Sequence, residues 1–245
     1  KDNTLVFTFP EVHPRASLSV SFQRTFRIPD DDRDYPLPPG FGRFPLRHVD
    51  DYARKVPDRW VEHGGVMLPM YQSEAMWLSF QSRHLLEHRS AYPFAVKVAT
   101  GKVDGVTGKA WSEGLHRGPQ DYLVTKEQPW LDGYCVEKGV IRQFVAMPLG
   151  AGYSAEEQIT GKGEHGGLQI AVFPMKREVF EERFPERGEV DIPFLREEAA
   201  GETVCFFSLA TPDMALSPGG RMRQEIYEDP FDLEDWDREH TSRCF

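Results

Sequence analysis

The chain has 245 residues, 40% apolar and 12% aromatic, with 29 basic against 39 acidic side chains and a net charge of −10. A chain of this length hides roughly 70–75% of its unfolded surface, so it folds without needing disulfides or a structural metal, and its composition excludes disorder and a collagen-like fibre. The acidic balance, with no basic cluster to offset it, argues against phosphate backbones, so nucleic acid is not an expected partner.

Taken in chain order, Thr4–Phe9 alternates through Leu5, Phe7 and Phe9 and reads as a first strand. Ser17–Ile28 is the clearest element. Leu18, Val20, Phe22, Phe26 and Ile28 occupy even positions, and only Arg24 breaks the alternation. Period-2 patterning predicts a half-buried antiparallel strand, with Phe22 inward and Ser21 in water. Asp30-Asp31-Asp32 with Asp34 lacks the calcium-loop spacing and reads as a solvated turn. The Pro/Gly-rich Pro36–Pro45 is the best candidate boundary, but too few residues precede it to fold alone. A single β-rich domain over 1–245 is expected.

Short strands are predicted at Val66–Met70, Phe94–Ala99, Tyr122–Thr125, Ile141–Met147, Leu168–Phe173, Thr203–Leu209 and Met222–Tyr227. Thr100-Gly101 and the glycines after it supply turn chemistry behind the Phe94 strand. Ser73–Ser90 admits two readings, a helix or a strand over Ala75–Phe80 followed by a polar loop. Short helices are expected at Ser154–Gly161, Lys176–Phe184, Pro193–Ala200 and Asp229–Trp236, from capping residues, acids in first turns and Pro at a first position. The fold class that follows is mainly β, an antiparallel sandwich or barrel with short peripheral helices, with α+β as the alternative. Glu62-His63-Gly64-Gly65 recurs as Glu164-His165-Gly166-Gly167. About 0.4 repeated tetrapeptides are expected by chance in a chain this long, and Gly-Gly turns commonly lead into strands, so chance is the favoured reading and a duplicated strand entry the alternative.

The longest apolar stretch, Val204–Ala210, is far shorter than the ~20 residues of a membrane span. No membrane partner is expected. The three cysteines, Cys135, Cys205 and Cys244, are too sparse for a disulfide framework and fit a reducing compartment. A cytoplasmic protein is expected, with a signal removed before Lys1 left open. Cys205, flanked by Phe206 and Phe207, reads as a core residue.

Few constellations could carry chemistry. His84-Leu85-Leu86-Glu87-His88 matches H-x-x-E-H and resembles the inverzincin signature. On a helix, His84 and His88 would share a face and hold zinc, with Glu87 activating its water and a distant carboxylate such as Glu164 completing the set. Pro93 and the polar flanks cut such a helix short. No cofactor is therefore expected, and zinc is the alternative. There is no G-x-S-x-G elbow, and Gly161-Lys162-Gly163 lacks phosphate-loop spacing. What remains is a set of aromatics in Gly/Pro-rich segments: Tyr35, Phe41, Phe44, Trp111, Trp130, Tyr134 and Tyr153. They either plug the ends of a sandwich or form a stacking surface. Trp130-Leu131-Asp132-Gly133-Tyr134 reads as a turn, with Trp130, Asp132 and Tyr134 as candidate binding residues for a protein, peptide or glycan.

Gln128–Gly133, Ile141–Gly150 with the following EHGGLQI segment, and Gly219–Tyr227 resemble a family of uncharacterised hypothetical proteins. The resemblance implies no activity, cofactor or catalytic residue. It implies sequence continuing past the position of Phe245, so that this chain would be a truncated form. The functional expectation is a non-catalytic β-rich binding or assembly protein. A zinc-dependent hydrolase and a structural subunit of a larger complex are the alternatives.

Overall fold

A computed structural model describes residues 3–31, 33–186 and 214–244. The expected helix over 193–200, the expected strand over 203–209 and Cys205 lie outside the described residues. The chain is mainly β. A nine-stranded sheet runs, in spatial order, through Thr4–Thr8, Ser17–Thr25, Ala75–Ser82, Val140–Pro148, Met214–Arg223 and Asp34–Tyr35. Only the last pairing is parallel. Three short strands, Gly40–Arg43, Trp130–Leu131 and Gly133–Glu137, attach to its sides. A five-stranded antiparallel sheet carries Val103–Asp104, Phe94–Thr100, Leu168–Pro174 and Ser242–Cys244, with Leu123–Val124 added to the Phe94 strand.

Both sheets feed one hydrophobic core. Leu18, Val20, Phe22, Leu78, Phe80 and Phe144 come from the larger sheet, and Phe94, Val96, Val98, Ile170 and Val172 from the smaller. Neither sheet closes on itself, so the barrel variant of the expectation is not formed. Helices Asp58–His63, Ala155–Thr160 and Arg177–Arg183 are short, which leaves little of the α+β alternative. No helix among the described residues is long and apolar enough to cross a membrane.

Local chemistry explains most boundaries. Ser154 and Glu157 form a reciprocal capping box for Ala155–Thr160, and Gly161 stops the helix at φ +76°. The hairpin from Phe94–Thr100 to Val103–Asp104 turns on Gly101 and Lys102, both at positive φ, as a two-residue primed turn requires. Ser73–Ser90 resolves as strand Ala75–Ser82 followed by a hairpin, not as a helix.

Several expectations are corrected. Ser21 is only 3% exposed, as buried as Phe22. It stands beside Ser79, which in turn stands beside Trp130, in one row across the sheet, and its hydroxyl accepts a hydrogen bond from the Gln23 amide at 2.9 Å. The outer face of this strand is therefore covered at Ser21, while Ser17, Ser19 and Gln23 on the same face are half-buried. The predicted strand over 222–227 instead spans Met214–Arg223. Gly219-Gly220 forms a bulge inside it, two residues opposite Gln143 alone. The expected helix from Asp229 to Trp236 shrinks to one 3-10 turn, Leu233–Asp235. Asp229 is buried and spends its carboxylate on the Tyr122 hydroxyl, the Trp236 indole and the Phe231 amide instead. The two EHGG copies also differ in structure. The first ends a helix at Gly64, and the second is a loop whose amides donate to the Glu156 carboxylate.

Candidate functional site: a cleft of aromatics and amides beside Trp130

Trp130–Tyr134 is not a turn but the point where one strand changes partners. Trp130–Leu131 pairs with Ala75–Ser82, and Gly133–Glu137 pairs with Val140–Pro148. Gly133 makes the change possible, because a Cβ there would lie 2.0 Å from the Arg142 carbonyl oxygen. Alternation then directs the side chains. Leu131 enters the core, while Trp130 stays 39% exposed on the opposite face. Tyr134 is buried and bonded to Thr100 and to the Leu216 carbonyl. It is part of the packing, and its expected place on an exposed binding loop is corrected.

Asp132 sits at the partner change, buried without a cation beside it. Its amide donates to Gln224 Oε1 at 3.0 Å, and Gln224 Nε2 returns a bond to Asp132 Oδ2 at 2.9 Å. Burial pushes its carboxyl up to about 7, with hydrogen bonds from the Gln224 and Trp130 side chains acting the other way. Asp132 thus holds two side chains that line the cleft, Trp130 and the buried Gln224.

Beyond Arg223 the chain continues as an extended strap, held by glutamines. Gln128 Oε1 accepts the Tyr227 amide at 3.1 Å. Gln120 Nε2 donates to the Tyr227 carbonyl at 3.0 Å, and Gln120 Oε1 accepts the Asp229 amide at 2.8 Å. Between strap and strand lies a cleft of about 170 Å³ lined by Leu37, Gln128, Trp130, Arg223, Gln224 and Tyr227, among others. Gln128 is 2% exposed, and its Nε2 is buried with no hydrogen-bond partner. A buried donor without an acceptor costs about 1–3 kcal/mol.

The H-x-x-E-H residues adopt another geometry than zinc binding needs. His84 opens a hairpin of His84–Leu85 with Ser90–Ala91, and Glu87 and His88 lie in its turn. The shared helical face is absent. His84 is exposed, whereas His88 is buried against Phe180 and donates from Nδ1 to the Phe184 carbonyl at 2.6 Å. Glu87 pairs with Arg15, and its own backbone N–H and that guanidinium hold it below the usual carboxylate range, which makes a poor base. Glu164 pairs with Lys162. Among the described residues no three His, Cys, Asp or Glu side chains are grouped to hold a metal.

The cleft therefore contains Trp130 and, behind it, Asp132, but not Tyr134. Sequence reading missed Gln120, Gln128, Gln224 and Tyr227. The only local signal was the proximity of Gln128 to Trp130. Comparison of the chain with protein-family models, curated proteins and solved structures finds no match.

Proposed function

We propose that the protein is a non-catalytic binding protein whose ligand seats against Trp130. The unpartnered Gln128 amide beside a half-exposed indole carries this reading. It favours a ligand unit with an apolar face and a hydrogen-bond acceptor. The cleft is smaller than the roughly 300 Å³ at which sites for whole drug-sized ligands begin, so it fits one unit of a larger ligand. Asp132, the buried carboxylate behind Trp130, is occupied by Gln224, which supports binding over catalysis.

The test is a fragment screen followed by NMR, using simple amides, dipeptides and monosaccharides. Hits are expected to shift the Gln128 side-chain amide and the Trp130 indole. Trp130→Ala should remove those hits, weakening binding by about 2 kcal/mol or more, while the protein stays folded. Fragments that bind only elsewhere, or none at all, would sink the reading. A second reading, a subunit that docks on another chain, draws support from Phe26 and Phe41, both exposed and stacked edge-to-face with centroids 4.3 Å apart.

A further inference from the structure

The strap that closes the Trp130 cleft also walls a second one. This cleft, of about 230 Å³, is lined by Gln120, Cys135, Lys138, Ile226, Tyr227 and Glu228, among others. Tyr227 borders both clefts and is 53% exposed. We propose that the two clefts are halves of one groove that takes a neutral oligosaccharide chain, with consecutive sugar rings on either side of Tyr227. The inference rests on the reading of the Trp130 cleft as a ligand site.

Three observations point to this class. Each cleft alone is below the size of an ordinary ligand site, and only the pair reaches it. Each is also charge-balanced: Arg223 and Glu225 line one, Lys138 and Glu228 the other. A strongly acidic or basic polymer gains nothing from such walls, whereas a neutral one loses nothing. Finally, an extended peptide at a strand gains affinity from main-chain ladder bonds. At the centre of this groove both the N–H and the C=O of Tyr227 are already taken, by Gln128 and Gln120. At Tyr227 recognition is left to side chains: indole and phenol faces for the C–H face of a sugar ring, and Arg223, Glu225, Lys138 and Glu228 for its hydroxyls.

The experiment begins with an array of neutral glycans and continues with NMR titration of the strongest binder. Its constituent monosaccharide and a neutral proline-rich peptide are titrated alongside. The oligosaccharide is expected to bind about tenfold or more tighter than the monosaccharide, to shift Gln224 and Gly139 amides together, and to be insensitive to salt. Tyr227→Ala should abolish the chain-length advantage. Trp130→Phe, which keeps an aromatic face, should retain most binding. No retained glycan, a chain no tighter than its monomer, or binding by the peptide alone would overturn the proposal. If fragments still shift Trp130 in those cases, the cleft reading stands and only the ligand class falls. If nothing shifts Trp130, both fall.

Discussion

At the scale of single residues, the carboxyl of Asp132 is the most sharply testable group. Its ordinary value is 3.8, and burial raises it to about 7 in the folded protein. Below about pH 4 it is neutral in both states and costs nothing. Between about 4 and 7 the unfolded chain releases the proton and the folded one keeps it, so stability falls as pH rises. Above about 7 the penalty is complete, and roughly three pH units of separation correspond to about 4 kcal/mol at most. Asp132→Asn cannot titrate, yet its side-chain oxygen can still accept from Gln224 Nε2. Urea unfolding at a series of pH values should therefore show the variant gaining on the wild type from pH 4 to 8. A difference that stays constant over that range would mean that Asp132 is ionised in the fold. The outcome reaches the cleft as well, because Asp132 anchors Trp130 and Gln224.

At the scale of elements, two glycines of one hairpin separate crowding from backbone conformation. Gly133 lies against the backbone of Arg142, whereas Gly139 has open space around it and a φ of +77°. Gly133→Ala must push two paired strands apart and should cost about 3 kcal/mol or more. Gly139→Ala meets only the left-handed penalty of about 1–2 kcal/mol. Thermal unfolding and faster amide exchange at Gln143 would show the contrast, and equal losses would remove the packing argument for Gly133. The same pair shows what sequence can and cannot reveal. Alternation in Ser17–Thr25 and the cap at Ser154 are local signals, and both were legible. Asp-Gly after a tryptophan suggested a turn, because the need for Gly133 comes from a neighbour that pairs with it only in the sheet. His84 and His88 are four apart in any conformation, and only a helix would put them on one face. Gln224 and Asp132 are 92 positions apart, so no local pattern announces that they pair, and Trp130 alone marked the cleft.

At the scale of the whole molecule, the question is whether two sheets behave as one body. They share a core of large side chains, and a buried polar contact also crosses between them. Tyr134, on the larger sheet, bonds Thr100, on the smaller, and donates to the Leu216 carbonyl at 3.2 Å. Burial raises the Tyr134 hydroxyl well above its usual value, with the Thr100 hydrogen bond acting the other way. Tyr134→Phe keeps the ring against Phe144 and removes only the oxygen, leaving Thr100 and the Leu216 carbonyl short of a partner inside the core. That should cost about 1–3 kcal/mol. If the shared core couples the sheets, the loss will appear as a lower midpoint of a single transition, with calorimetric and van't Hoff enthalpies still equal. If the sheets unfold separately, the variant will instead split the transition, or lower one of two already present, and the shared core would then be contact without coupling. A coupled outcome matters for the proposed groove, whose walls come from segments 96 positions apart, Gln128 and Gln224. Such walls hold a fixed spacing only when the parts beneath them fold as a unit.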